Sequence, residues 1–459
     1  MRTLAALGGL TIPLMLAAQW MTLDGGLSSI PRSMFYDSSA MRLVVAGQFN
    51  SADGMPVHGV AQWNGAWSAL GTGVVPDASA TPLGIALYHD TLYAGGFFNQ
   101  MGPDVDTHRL ARFNGTEWES VGDTGATGVV WDLVVLNDEL HVVGILDSVA
   151  GIPVHNWAIY DGASWRTGDT VDFMTAPQGL GAIAEYQGET YVGGNFNTAS
   201  GINDMAKVTS TGWEAVGGGI SCDPWVNDMV VYNGLLYVGG EFCEFGNANG
   251  YLMAWDGTQW LDPFPQVEWT SQVRDLDIVD GKLLIAGQVR PVGSTAYHGV
   301  CYFDGQQLCI FGGEPRFITE VTGHGGTVYC AFNYSLEGNP DGTVVNYIAQ
   351  WDLNNAPDTC FTVIQGVPVA TKGGHAVSVF PNPASELVRI QLPSASANSR
   401  GGLNLLDPSG RLVLRSRYIA DASGCFILDL GHIAPGTYIL SIAGDSATEF
   451  SMVRLVIQP

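Results

Sequence analysis

Short apolar runs broken by Asx-Gly turns recur along most of the chain, and they are clearest between Asp228 and Trp260. There Met229-Val230-Val231-Tyr232 turns at Asn233-Gly234 and resumes as Leu236-Tyr237-Val238-Gly239-Gly240. After a polar loop, Leu252-Met253-Ala254-Trp255 turns through Asp256-Gly257 towards Trp260. Apolar runs flanking an Asx-Gly pair are a hairpin signal, so the unit predicts a four-stranded antiparallel sheet.

The unit repeats. The glycine that ends its second strand recurs as Gly47, Gly96, Gly144, Gly194, Gly240 and Gly287, with Phe332 in the seventh slot, at intervals of 45 to 50 residues. The second hairpin keeps step as Trp63-Asn64-Gly65 to Trp67, Phe113-Asn114-Gly115 to Trp118, Tyr160-Asp161-Gly162 to Trp165, and Trp255-Asp256-Gly257 to Trp260. It weakens in the fourth, sixth and seventh units. No such sheet can bury both faces alone, so seven copies predict a seven-bladed β-propeller over residues 19–365. An open β-solenoid is the rival, ranked below because its turns are usually shorter than these units.

The aromatic stripe reads as core: a buried Trp removes about 150–250 Å² from water, worth roughly 4–6 kcal/mol at most. A ring must also close. Gln19-Trp20-Met21-Thr22-Leu23-Asp24-Gly25-Gly26 matches fourth-strand segments such as Trp67-Ser68-Ala69-Leu70-Gly71. It is therefore expected to supply the outer strand of the seventh blade, with Cys360-Phe361-Thr362-Val363-Ile364 as the competitor. The glycine doublet after an apolar strand, followed by an aromatic and then Trp around a turn, resembles kelch-type propeller repeats over residues 19–366. That resemblance supports a fold, since such rings host enzymes, adhesins and scaffolds alike.

Composition changes the picture in two places. A net charge of −26 and a pI near 4.4 argue against nucleic acid and anionic lipid as partners, because phosphate binding needs clustered Lys and Arg. Residues 1–18, with Arg2, an apolar stretch from Leu4 to Leu16 and Ala17-Ala18, read as a secretory signal. No other run reaches the roughly 18 apolar residues of a membrane span. Export suits the cysteines, because an oxidising compartment permits disulfides. The candidates are Cys222, Cys243, Cys301, Cys309, Cys330 and Cys360. Cys301 with Cys309 is the first expected pair, since both flank one predicted hairpin, and Cys222 and Cys243 fall in loops on one face of a blade.

Candidate chemistry is sparse. His58, His108, His155 and His298 share one repeat position, but it opens the third strand, where equivalents lie about 13–15 Å apart, far beyond zinc-ligand geometry. They read as structural. Asp132, Asp228 and Asp275 share a place at the start of the innermost strands. Asp228 and Asp275, in neighbouring blades, could hold a cation such as Ca²⁺ through oxygen ligands; the preferred reading is that these carboxylates accept backbone amides. Trp131, Trp225 and Trp269 lie near the loops entering those strands and offer an aromatic patch for a glycan or protein ligand, or plug the blade ends. No nucleophile elbow, His-Glu-x-x-His, phosphate loop or dinucleotide fingerprint is present. Paired carboxylates drawn from distant blades stay open, and no His and Tyr set for copper can be assigned.

After a linker at residues 366–374 the repeat vanishes, and residues 375–459 alternate apolar and polar positions in short runs, which predicts a small Ig-like β-sandwich. Phe380-Pro381-Asn382-Pro383-Ala384, Leu406-Asp407 with Gly410-Arg411, Leu428-Asp429-Leu430, Pro435-Gly436-Thr437-Tyr438 and Val453-Arg454-Leu455-Val456 follow in order. In order and spacing these residues closely resemble the C-terminal sorting domain of the type IX secretion system of Bacteroidota, with Arg454 where Lys is commoner. The resemblance implies Sec export, translocation by the type IX machinery, and removal of this domain with surface attachment or release. The chain as a whole thus reads as a secreted or cell-surface binding or adhesion module. The alternative is a secreted glycan-active enzyme, a hydrolase or lyase, working at the propeller mouth.

Overall fold

The computed structural model describes residues 20–457 apart from 76–79, 104–106, 169–178, 199, 218–224, 243–250, 314–316, 337–343, 356, 364–366, 369–377, 381–386, 393–399, 407–410, 422–424 and 445–449. The expected signal at residues 1–18, most of the expected linker, Cys222, Cys243, Pro381, Asn382, Pro383, Asp407 and Gly410 lie outside the described residues. Every element among the described residues is a β-strand.

The Asx-Gly turns do close hairpins: Asn233 and Gly234 both take positive φ, 47° and 80°, the backbone that joins Trp225–Tyr232 to Leu235–Glu241. Among the described residues seven antiparallel sheets of four or five strands follow one another up to Pro368, besides a two-stranded pair of Ser51–Ala52 with Met55–Pro56. Their first strands are Pro31–Asp37, Thr81–Tyr88, Ala126–Leu136, Gly179–Tyr186, Trp225–Tyr232, Val267–Val279 and Ile318–His324. Each first strand contacts the first strand of the next sheet, and Ile318–His324 contacts Pro31–Asp37.

Apolar residues fill the gap between each sheet and the next. Val44, Ala94, Phe98 and Trp118 join the first to the second, and Tyr191, Met205, Met229, Trp255 and Trp260 join the fourth to the fifth. Leu43, Val45, Tyr329, Ala331 and Ile348 do the same between the first and seventh sheets. Indole N–H groups add a directional link. Trp67 Nε1 donates to Leu23 O at 2.8 Å, Trp118 Nε1 to Leu70 O at 2.7 Å and Trp260 Nε1 to Val216 O at 3.3 Å. Each acceptor lies just past the outer strand of the preceding sheet.

The N-terminal stretch joins this series. Met21–Thr22 pairs with Val345–Asp352, Met21 opposite Gln350 and Thr22 opposite Ala349. Trp20 Nε1 donates to Gly312 O at 2.7 Å, and its ring lies edge-on to Phe332 and Trp351 at 5.3 and 5.2 Å. The competing segment goes elsewhere: Thr359–Thr362 lies beside Gln307–Ile310 as a fifth strand of the sixth sheet, and Val367–Pro368 lies beside Trp260–Asp262.

That fifth strand corrects the expected disulfide. Cys309 sits opposite Cys360, Cα atoms 4.1 Å apart, and these two are bonded. Cys301 pairs across its hairpin with Ile310, while Cys309 faces Tyr302. A one-residue offset puts Cys301 and Cys309 on opposite faces of the pleat, so they cannot bond. Cys301 and Cys330 are buried thiols.

In the C-terminal region, Ser378–Phe380, Leu387–Gln391 and Cys425–Asp429 form one sheet. Leu412–Ile419, Arg400–Leu406, Gly436–Gly444 and Phe450–Ile457 form another. Val388, Ile390 and Leu428 from the first share one core with Leu405, Leu440 and Leu455 from the second. Tyr438, opposite Leu455, donates its hydroxyl to Ala434 O at 2.7 Å.

Trp20 is 4% exposed, and truncating a buried Trp costs about 3–5 kcal/mol. Trp20→Ala should destabilise the chain by that amount in urea unfolding, and an unchanged midpoint would show that the N-terminal stretch does not hold the seventh sheet.

Candidate functional site

Each first strand carries an irregularity at the same place, where it loses register for one residue: between Pro31 and Ser33, Pro82 and Gly84, Val130 and Asp132, Leu180 and Ala182, Val226 and Asp228, Val273 and Asp275, and Ile318 and Glu320. Such a bulge places two residues against one and re-aims side chains. Opposite it stands the repeat glycine. A Cβ on Gly144 would come 2.1 Å from Val129 O, and one on Gly96 would come 2.3 Å from Thr81 O. The periodic glycine is therefore the partner of the bulge in six sheets, where a Cβ would meet backbone or a packed side chain, while Phe332 takes that place in the seventh.

The bulged ends of all seven first strands line one cavity of about 280 Å³. Asp132, Asp228, Asp275 and Glu320 stand on its wall, with Arg32, Arg274, Trp131 and Asn227 beside them. The residue after the bulge ties its sheet to the next one. Ser33 Oγ accepts from Ile85 N at 3.2 Å, Asp228 Oδ2 from Leu276 N at 2.7 Å, and Asp275 Oδ2 from Val321 N at 2.6 Å. Asp228 Oδ1 also accepts from its neighbour Met229 N at 2.7 Å, and Asp132 Oδ1 accepts from Leu133 N at 2.8 Å. Both oxygens of Asp228 and one of Asp275 are thus engaged by amides, whereas Ca²⁺ takes six to eight oxygens. Among the described residues no three His, Cys, Asp or Glu side chains group as metal ligands.

The three tryptophans separate. Trp131 and Trp225 meet edge to face, centroids 5.5 Å apart and planes at 75°, with Trp131 on the cavity wall and its Nε1 buried without a hydrogen bond. Trp269 is elsewhere, 4% exposed in the core between the fifth and sixth sheets. It starts a long strand whose first residues pair beyond the bulge, so Trp269 falls opposite Val289 on the core side. The four histidines line no part of the cavity, and His298 Nδ1 lies 2.6 Å from Gly313 O, a contact with loop backbone.

Burial pushes the Asp132 carboxyl up to about 6, against the pull of the Leu133 amide. Burial, then the Asp132 charge, raises Asp228; burial, then the Asp228 charge, raises Asp275. Glu320 is raised by burial and by Asp275, and Asp277 by burial. Burial and the neighbouring Arg32 charge lower Arg274. The cavity therefore holds several carboxyl groups raised above the usual carboxylate range, beside two guanidinium groups. Glu320, Arg32 and Arg274 were not singled out from the sequence. Glu320 follows Asp275 at the repeat spacing and could have been found that way; the arginines depend on where the bulge falls.

A carboxyl raised in the folded state favours the protonated fold, so its contribution is present below the unfolded value and is lost as pH rises through the folded one. His141, lowered to about 4 by burial, works the other way, but the acids outnumber it. Thermal stability should rise as the pH falls from 8 to 5.5. Asp275→Ser, which copies the hydroxyl acceptor at Ser33, should shrink that rise; an equal rise in the variant would remove the cavity acids as its source.

Residues 378–458 match the family described as the secretion system C-terminal sorting domain. No curated protein matches the chain. Among solved structures, PorZ, a surface component of the type-IX secretion system of Porphyromonas gingivalis, is 13% identical with a TM-score of 0.34, over 91% of this chain and 64% of that one. A glycoside hydrolase is 10% identical with a TM-score of 0.27, over 85% and 97% of the two chains. Dimeric latent PorU of Porphyromonas gingivalis is 10% identical with a TM-score of 0.17, over 96% and 33%. The chain spans under two thirds of PorZ, and scores this low carry no argument about function. No helix among the described residues is long and apolar enough to cross a membrane. The C-terminal region is a type IX sorting domain, and the protein that carries it is secreted or attached at the outer-membrane surface.

Proposed function

We propose that the seven sheets are the blades of a closed seven-bladed β-propeller, that the C-terminal pair is an Ig-like sandwich, and that the exported propeller is a binding or adhesion module taking its ligand at the cavity mouth. The observation that carries this reading is the cavity itself: one polar chamber to which all seven first strands contribute. Contacts running from sheet to sheet and back from the seventh to the first support the ring. About 280 Å³ is at the small end of ligand pockets, room for one sugar ring or the end of a chain rather than a long polymer. Carboxylates engaged by amide hydrogens suit holding better than turnover. Glycan hydrolysis is the second reading, favoured by Asp132, whose raised carboxyl is the form a general acid needs.

One experiment separates the two. The purified ring, residues 19–368, is incubated with a glycan array and a panel of polysaccharides. Retention without products is the expected result, product release would establish the enzyme, and no retention at all would remove the binding reading. The sorting domain gives a separate expectation. Deleting Leu387 to Pro459 should leave the protein inside the cell, and secretion of the truncated chain would show that export does not depend on it.

A further inference from the structure

The cations of the ring are few, and most of those among the described residues have an acidic or aromatic partner. Arg42 pairs with Asp37, Arg112 with Glu119, Arg166 with Glu139, Lys207 with Glu214 and Arg290 with Glu268, and Arg109 lies over the Phe97 ring. Arg32 and Arg274 differ. Both line the central cavity. Among the described residues neither guanidinium has an ion pair within 4.0 Å, and Arg32 Nε is buried without a hydrogen bond. Each is the bulge residue of its strand, in the first and sixth sheets, so they flank the seventh sheet and its Glu320 from either side. They are near enough that the charge of Arg32 acts on Arg274.

Arg274 feels Glu320 and Glu241 from beyond ion-pair range, and two like charges left without a close partner at one cavity cost free energy that a bound anion would recover, because a guanidinium fork matches a carboxylate in two parallel hydrogen bonds. The rest of the wall suits a polyhydroxylated ring. Trp131 offers an indole with a buried, unpartnered N–H, Trp225 stands edge-on behind it, and Asn227 is beside them on the wall. Burial raises the surrounding acids Asp275 and Glu320, so each opposes a bound carboxylate less than an ordinary carboxylate would.

We propose that the cavity takes an acidic sugar residue, a hexuronate, whose carboxylate sits between Arg32 and Arg274 and whose ring lies against Trp131. This rests on the binding reading of the same cavity and names the class of its ligand. The probe is trigalacturonate, measured by calorimetry at pH 6 on the full chain and on its Arg274→Gln variant, with the neutral trigalactoside and a pentapeptide with a free C-terminus alongside. Arg274 lines the cavity wall and belongs to none of the buried apolar clusters, so its replacement should not disturb folding. Binding of trigalacturonate that falls at least tenfold in Arg274→Gln, returns only in part in Arg274→Lys, which keeps the charge and loses the fork, and is absent for the trigalactoside is the expected result. Neutral saccharides binding while trigalacturonate does not would overturn this inference and leave the binding module standing. Peptide binding without trigalacturonate binding would assign the arginines to a peptide carboxylate and overturn it too. Equal affinity in Arg274→Gln would remove the arginine pair, and binding of nothing would remove both readings.

Discussion

Each sheet of the first 368 residues has two apolar faces and only neighbouring sheets to bury them against. The rest of the structure follows from that constraint. Small residues such as Ala46 and Ala94 pack against large rings such as Phe98 and Trp118 across one gap, and Leu23, Leu27 and Met34 do the same where the seventh sheet meets the first. Burial alone is non-directional. The indole-to-carbonyl bonds of Trp20, Trp67, Trp118 and Trp260 add register, because a buried N–H that missed its carbonyl would carry its full desolvation penalty.

The cavity is a by-product of the same geometry put to use. A bulge in every first strand needs a partner backbone that can come close, and the repeat glycine supplies it in six of the seven, with Phe332 in the last. The bulge brings two successive side chains to the cavity wall. At one of them Ser33, Asp228 and Asp275 accept an amide from the next sheet; at the other stand Arg32, Trp131 and Arg274. The residues that fasten the sheets together and those that could meet a ligand are thus sequence neighbours. Polar groups crowded there lose solvent, which is why the acids are raised above the usual carboxylate range and why Asp132, Asp228, Asp275 and Glu320 influence one another.

Much of this was legible in the chain. The Asx-Gly turns, the glycine register, the core tryptophans and the match between the N-terminal stretch and fourth-strand segments all depend on local pattern, and each corresponds to a strand, turn or contact. The reading of Asp228 and Asp275 as amide acceptors was available from residue type alone. Trp269 was misplaced because its strand begins well ahead of the bulge, which moves it from the mouth into the core. The Cys301–Cys309 pairing failed because facing across a hairpin turns on a one-residue register that the spacing does not reveal.

By itself, the sequence determined that the chain is built of repeated antiparallel sheets and that a different all-β region with a sorting signature follows them. These are consequences of periodicity and composition, which act over a few residues at a time. Tertiary structure alone decided that Cys309 meets Cys360 from 51 positions away, that Thr359–Thr362 joins the sixth sheet rather than the seventh, and that Arg32 and Arg274 share one cavity. Each of these depends on which distant backbones lie side by side, and hydrophobic patterning specifies that a face is buried without specifying against what.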